Sequence, residues 1–540
     1  MWRLSRAILT KCLEQRAMII GKTMSTSSEP LPVITMPQKM IKKLDRHKTG
    51  IREREEKLRR MGRRSQTMVI SCKRSEYNCH KGERFQDQND RNLASHGWKH
   101  SKSVGDYFTL VSYSKNPAVL EEDKREKFSD QNVNSRLVEG LKELGFINMT
   151  KVQSESISKI LNGQQLIMAA ETGSGKTLAY LVPIIERIEQ QIKQFGKENP
   201  WNSPYAIILT PSHELTEQIG SVIESLSNYT DVRYHMEFGG RGTQGKLAWP
   251  ISRSMDILIS TPGVLAKLLT AGQIKGSNLQ HIILDEADTL LDDSFSGSVN
   301  HIIRKLQASS GASVRDEDVI VNKGVQFILV SATLAKGLQD IIGNLIPVDK
   351  MARVTTAGLH RLMPHVPQKF FRVSNADKAE HIIKLLKTKQ KPTLVFCNKS
   401  ETVYWLSQTL LENNIDNIIL SGALQERERQ GRFLQFQEGK YDVMVATDIA
   451  SRGLDTTMVE HIINFDFPLF MSDYIHRVGR VGRVGAPNSG HVTSLISQKW
   501  DVDLLWKIEI AARKQSELHN VNANIKRKID GIIAQKYGVD

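Results

Sequence analysis

The sequence predicts an α/β protein of two tandem domains, each a parallel sheet wrapped by helices, behind a basic and largely irregular N-terminal extension. Three observations carry this expectation. Short apolar runs alternate with longer amphipathic stretches from about residue 128, the alternation restarts once after a polar link, and positive charge gathers ahead of both series. A chain of 540 residues is too long for one ordinary core. Strand–helix alternation implies parallel strands, because each parallel crossover needs a helix lying on the sheet.

The chain opens MWRLSRAILTKCLEQRAMIIGKTMSTSS, with Arg3, Arg6, Lys11, Arg16 and Lys22 against one acid, Glu14. Interleaved apolar residues followed by hydroxyl residues predict a mitochondrial transit peptide over residues 1–25; a secretory signal would need an unbroken apolar centre. An ordinary basic terminus is the alternative. Residues 26–125 form the basic extension. Residues 1–127 hold 28 Lys+Arg against 15 Asp+Glu, and the remainder holds 46 against 44, so most of the net charge of +15 lies in this arm. Such an arm suits a polyanion such as RNA, or is simply a solvated tail. Within it, IREREEKLRRMGRRS reads as a short charged helix or a nuclear-type basic cluster, which leaves room for a nuclear pool. In SHGWKHSKS, Trp98 is either a stacking platform for a base or a residue packed on its own domain.

The first domain is expected over residues 126–350. Its buried strands are LIMAA (166–170), AIIL (206–209), DILIS (256–260), HIILD (281–285) and QFILV (326–330), with QASSGASVRDEDVIVNKG (307–324) as a long surface loop. A linker, residues 351–368, leads to a second domain over 369–505. There the strands are LVF (394–396), NIIL (417–420), DVMVA (442–446), HIINF (461–465) and HVTSLI (491–496). Residues 506–540 form a basic helical tail containing Arg513, Lys514, Lys526, Arg527 and Lys528. Four sparse cysteines, Cys12, Cys72, Cys79 and Cys397, predict free thiols rather than a disulfide framework. No apolar run approaches the ~20 residues needed to cross a bilayer, so no membrane insertion is expected.

AETGSGKT follows a strand and opens a helix. In this stretch of Ala170, Glu171, Thr172, Gly173, Ser174, Gly175, Lys176 and Thr177, the glycines let backbone amides converge on phosphate oxygens. The helix start favours negative charge. Lys176 is placed to neutralise the outer phosphates of ATP, and the Thr177 hydroxyl to ligate Mg2+. LDEAD ends another strand, where ligands of open α/β sheets bind. Asp285 is expected to hold the metal, and Glu286 to orient and deprotonate the attacking water. YIHRVGRVGR sets Arg477, Arg480 and Arg483 three apart with His476 in front, a face that repels itself unless an anion meets it.

In combination, AETGSGKT, DEAD, SAT (Ser331 to Thr333) and YIHRVGRVGR resemble the DEAD-box branch of superfamily 2 helicases, over roughly residues 128–500. The resemblance implies two RecA-like domains that share one ATP and Mg2+ and hold RNA between them. It implies that Ser331 and Thr333 couple Asp288 to domain closure. Gln153 would read the adenine edge, with one donor and one acceptor, and Phe128 would lie against the base. Asp455 would hold the ribose. Arg480 and Arg483 would reach the terminal phosphate as fingers, with His476 and Arg477 linking ATP to RNA. Gly239, Gly240, Thr261, Gly263, Arg429, Thr447 and Arg477 would hold RNA phosphates, positioning a strand without reading its sequence.

Several positions depart from the family pattern. Met149 stands for a proline, His213 and Val264 for arginines, Ser421 for a histidine, Glu426 for a glutamine and Val481 for a threonine. Losing two arginines predicts a weaker RNA grip and a shallower salt dependence. The segments ASHGWK, LVFCNKSETVYWL, LHRLMPHV and WDVDLLWKIEIAARK resemble a mitochondrial branch of the family. That resemblance implies a place in the mitochondrial matrix, with mitochondrial ribosomal RNA and large-subunit assembly intermediates as partners. An ATP-dependent RNA clamp or scaffold with little unwinding is the alternative, and a DNA translocase is disfavoured by the DEAD form of the acidic motif.

Overall fold

The apolar runs seen in the sequence become the inner strands of two sheets, and these inner strands are covered on both faces. The computed structural model describes residues 68–80, 93–111, 116–119, 126–196, 201–239, 254–292, 295–309, 324–333, 342–343, 345–346, 348–356, 358–388, 391–451, 454, 456–486, 488, 490–518 and 521. The transit-like terminus, the IREREEKLRR cluster, most of the 307–324 loop, Gly240, Asp455 and the tail lysines beyond 521 lie outside these residues.

The first elements are strands β1 (Val69–Cys72) and β2 (Tyr107–Val111). The first domain follows as α1 (Ser135–Glu143), α2 (Lys151–Leu161), β3 (Leu166–Ala169), α3 (Lys176–Phe195), β4 (Ala206–Leu209), α4 (His213–Ser225), β5 (Tyr234–Glu237), β6 (Ile257–Ser260), α5 (Pro262–Thr270), β7 (His281–Asp285), α6 (Ala287–Leu290), α7 (Ser296–Ser309), β8 (Gln326–Ser331) and β9 (Ala352–Thr355). Its sheet runs β5-β6-β4-β7-β8-β3-β9, and every pairing is parallel. Leu166–Ala169, Ala206–Leu209 and Ile257–Ser260 are buried throughout, as a strand covered on both faces must be.

The second domain comprises β10 (Gln368–Arg372), α8 (Lys378–Thr388), β11 (Thr393–Phe396), α9 (Ser400–Glu412), β12 (Ile418–Leu420), α10 (Glu426–Gln437), β13 (Val443–Ala446), β14 (His461–Asn464), α11 (Met471–Val478), β15 (His491–Ile496) and α12 (Lys499–Lys514). Its sheet order is β1-β2-β10-β15-β14-β11-β13-β12. The strands from β10 to β12 are parallel, and β2 and β1 add to the β10 edge antiparallel.

Part of the N-terminal extension is therefore structured, and it belongs to the second domain although it precedes the first in the chain. Phe108 stacks on Phe370 at 4.9 Å, and Trp98 packs against Phe108 at 5.5 Å. Trp98 is 1% exposed, so of its two readings the core residue holds. The junction with α12 is polar and buried. Glu509 accepts hydrogen bonds from the backbone of Ala94 (2.8 Å) and Ser95 (3.0 Å) and from the Ser95 hydroxyl (2.5 Å). Arg513 donates to Glu509 at 2.8 Å and to the Tyr77 carbonyl at 2.8 Å. Arg513, expected in a basic tail, is thus a buried partner in this junction, and α12 contributes Val502, Leu505 and Ile508 to the same core. Cys72, Cys79 and Cys397, among the described residues, are thiols outside any disulfide. Among the described residues no helix is long and apolar enough to cross a membrane.

Candidate functional site

The order of the first sheet brings its motifs together. Strands β7, β8 and β3 are neighbours, so the turns at their carboxyl ends, Asp285–Asp288, Ser331–Thr333 and Ala170–Gly175, share one rim. At the phosphate loop, Gly173 and Gly175 have φ of +75° and +88°, where a side chain is strained. Space forbids one as well: a Cβ on Gly175 would lie 2.6 Å from the Gln153 amide nitrogen. Gln153 is buried at the start of α2, donates to the Gly175 carbonyl (3.1 Å) and accepts from the Thr150 amide (2.8 Å). Ser174 closes the loop by donating to the Glu171 carbonyl at 2.7 Å.

Lys176 donates to the carbonyls of Ala170 (2.7 Å) and Glu171 (2.9 Å). Burial depresses its ammonium to about 8, against the pull of Asp285, Asp288, Glu171 and Glu286. Asp285 is pushed the other way, up to about 6, by burial and then by the neighbouring Glu286 carboxylate. It accepts from the Tyr180 hydroxyl at 2.8 Å and from the Glu286 amide at 2.9 Å. A crowded pair of carboxylates, with the Thr177 side chain meeting the same Tyr180 hydroxyl that bonds Asp285, fits a divalent cation, which would relieve their repulsion. Among the described residues no group of three or more His, Cys, Asp or Glu is arranged to hold a metal. Two protein oxygens with phosphates and waters is the pattern suited to magnesium. Glu286 itself is at φ +53°, ψ +51°, left-handed backbone that a side-chain-bearing residue seldom adopts.

Asp288 accepts from the Thr333 amide (3.1 Å) and hydroxyl (2.5 Å), and Ser331 donates to the Thr333 carbonyl. Burial alone would raise its carboxyl; the His476 ring at 3.3 Å and these hydroxyls hold it well below the usual carboxylate range. His476 belongs to the second domain, so this contact spans the cleft. Arg480 also spans it, with Nη2 3.9 Å from Glu286 Oε1, while donating to the Leu454 carbonyl at 2.7 Å. Thr172 donates to the Gly479 carbonyl (3.0 Å), and the Val484 amide donates to the Gly173 carbonyl (3.2 Å). A Cβ on Gly173 would meet the Arg483 side chain at 2.5 Å, so the loop glycine also makes room for this arginine.

The remaining expected residues are placed differently. Phe128 is 2% exposed and part of the same core as Leu137 and Leu141 in the first domain, rather than presenting an open face. Arg477, expected against RNA, is fully buried within the second domain. It donates to Asp448 (2.6 and 2.9 Å), Asn398 (2.7 Å) and the Asp466 carbonyl (2.7 Å), and stacks over Phe396. Its donors hold the loop that carries Thr447 instead of reaching the surface. Arg429 pairs with Glu214 of the first domain at 3.3 Å. Thr261 precedes α5 and Gly263 is exposed on its first turn; Gly239 follows β5 beside His213, which packs on Phe238 at 5.2 Å. Asp448, Asn398 and Glu214 escape sequence reasoning as partners. Asn398 sits inside the quoted segment LVFCNKSETVYWL, Asp448 follows Thr447 and Glu214 follows His213, but which arginine each meets is set by the sheet order and the cleft.

Two family models match the chain, DEAD/DEAH box helicase over residues 150–341 and the helicase conserved C-terminal domain over 377–485. The Mus musculus protein named "Probable ATP-dependent RNA helicase DDX28" is 36% identical over 513 residues, covering 92% of this chain and 93% of that protein. The Homo sapiens protein of the same name is 35% identical, covering 94% and 95%. Among solved structures, S. cerevisiae Dbp5 bound to RNA and ADP BeF3 is similar in fold (TM-score 0.59, 22% identity, 76% of this chain and 99% of that one). So is Mss116p bound to ssRNA and AMP-PNP (TM-score 0.61, 22% identity, 75% and 80%). With both halves of the helicase core matched and whole-length relatives above 30% identity, the chain belongs to the DEAD-box family of ATP-dependent RNA helicases.

Proposed function

We propose that this helicase grips RNA across its two RecA-like domains and remodels it locally, using the named residues of the cleft to hydrolyse ATP. The division of the site carries this reading: Lys176, Asp285 and Glu286 stand on one domain, and Arg480 and Arg483 on the other, with Arg480 3.9 Å from Glu286. Glu286 orients and deprotonates the attacking water. Lys176 leaves the loop carbonyls for the outer phosphates, where a negative partner also secures its proton. Arg480 and Arg483 stabilise the charge that spreads over the transferred phosphoryl group. Mg2+, held by Asp285 and Thr177, would neutralise phosphate charge when bound. The contact of His476 with Asp288, braced by Thr333, ties closure of the cleft to the strand end that bears Glu286.

We further infer that the substrate is mitochondrial ribosomal RNA in large-subunit assembly intermediates, with the protein in the matrix. The composition of residues 1–25 and the resemblance of whole-chain segments to a mitochondrial branch support this. The experiment is crosslinking of the active protein to RNA in cells, followed by sequencing; enrichment outside mitochondrial ribosomal RNA would overturn the target. One observation favours a clamp with little unwinding: the two phosphate-gripping arginines are replaced, and His213 and Val264 pack against Phe238 and the first domain's core. Glu286→Gln should trap an ATP-bound complex. If that variant still supports assembly, hydrolysis is dispensable and the clamp reading stands.

A further inference from the structure

The carbonyl of Gly482 lies between the two candidate finger residues, Arg480 and Arg483, and two side chains from outside both helicase motifs converge on it. Asn116 donates to it from Nδ2 at 3.1 Å, and His365 from Nε2 at 2.7 Å. Asn116 comes from the segment joining β2 to the first domain, and His365 from the interdomain linker. Gly482 has φ +69°, and a Cβ there would lie 2.5 Å from Val366 and 2.8 Å from His365, so linker and arginine loop fit without spare room.

Asn116 is itself held. Its Oδ1 accepts from the Ala118 amide at 3.0 Å, and the Ala118 carbonyl accepts from the Lys151 amide at 3.2 Å. Lys151 is the first residue of α2, the helix that carries Gln153. A continuous run of hydrogen bonds therefore leads from the base-side glutamine helix, through Ala118 and Asn116, to the arginine loop. Asn116–Ala118, Glu171–Gly173 and Arg361–His365 line one small cavity, so the phosphate loop, the linker and the upstream segment meet there.

We propose that Asn116 and His365 are positioning residues for the arginine loop, fixing Arg480 and Arg483 relative to the phosphate loop and transmitting occupancy of the base side to it. The inference rests on reading those arginines as fingers. An arginine displaced by an ångström loses much of its effect on a developing charge, whereas ground-state ATP binding by the first domain does not depend on it.

The test uses the full chain with RNA and ATP. Asn116→Asp removes the donor to Gly482 but keeps an acceptor for Ala118; His365→Ala removes the second donor, and His365→Gln keeps an N–H at similar reach. Asn116→Asp and His365→Ala should each lower RNA-stimulated kcat roughly three- to tenfold, the worth of one lost hydrogen bond, with KM for ATP little changed. His365→Gln should restore most of the loss. In an Arg483→Ala background, Asn116→Asp should add little, because both changes act on one interaction. Wild-type kcat in Asn116→Asp and His365→Ala, or full additivity with Arg483→Ala, overturns the proposal. If Arg480→Ala and Arg483→Ala themselves hydrolyse normally, the finger reading has failed first, and the proposal falls with it.

Discussion

Glu286 holds a left-handed backbone conformation at the end of a buried strand, strain that a glycine would remove and that the site nevertheless retains. Its side chain faces Arg480 from the other domain, where a water-orienting carboxylate and a charge-stabilising cation are wanted together. Glu286→Gln keeps the size and removes the base, so RNA-stimulated hydrolysis should fall by roughly 10²–10⁴-fold in steady-state assays, with ATP still bound. Arg483→Ala should lower kcat by up to roughly 10³-fold, the lower range for a finger, and raise KM less. An Arg483→Ala variant that turned over normally would leave the arginine loop with a purely structural place against Gly173. Both changes are local, so circular dichroism should not move.

At the scale of elements, two buried arrangements set stability. Trp98 belongs to a segment that closes the second domain's sheet edge, and Trp98→Ala should destabilise that domain by about 3–5 kcal/mol in denaturant melts, a figure for a buried aromatic. His281 on β7 is buried with its Nδ1 2.9 Å from Gln326 Oε1, and burial, then Arg187, depress its ring to about 3. The neutral ring is therefore the folded form. Between about pH 3 and the ordinary value near 6.5, the unfolded chain binds the extra proton, so stability is present above 6.5 and drains away as pH falls, by at most about 1.4 kcal/mol per unit. Replacing His281 by Gln should flatten the pH dependence of the melting temperature across that window; an unaltered slope would assign the acid sensitivity to other groups.

For the whole molecule, the chain begins its second domain before it makes its first. Strands β1 and β2 join the sheet of β10, and the polypeptide then crosses to α1 and returns through the linker, so the two domains share two covalent connections. Removing residues 26–120 would strip Phe108, Leu110 and Trp98 from the second core, and any loss of RNA affinity would then report unfolding. Deleting only residues 1–65 tests the basic arm. RNA affinity should weaken and the slope of log affinity against log salt should become shallower, while RNA-saturated hydrolysis stays near its full rate. Unchanged affinity and slope would exclude the arm from RNA binding.

The strand runs, the phosphate loop, the acidic turn and the arginine spacing were all legible in the residues, because each is a local pattern whose chemistry follows from a few neighbours. Parallel pairing and the two-domain repeat followed from periodicity alone. What the tertiary structure decided is every relation between distant segments. Arg513, expected in a basic tail, is buried, and Trp98 takes the packed of its two readings, because the N-terminal strands and α12 bury them together. Arg477 turned inward because Asp448 and Asn398 lie at the ends of adjacent strands. The same principle placed Asn116 on Gly482, 366 positions away. A side chain's partner is set by sheet order and domain closure, and no window along the sequence contains either.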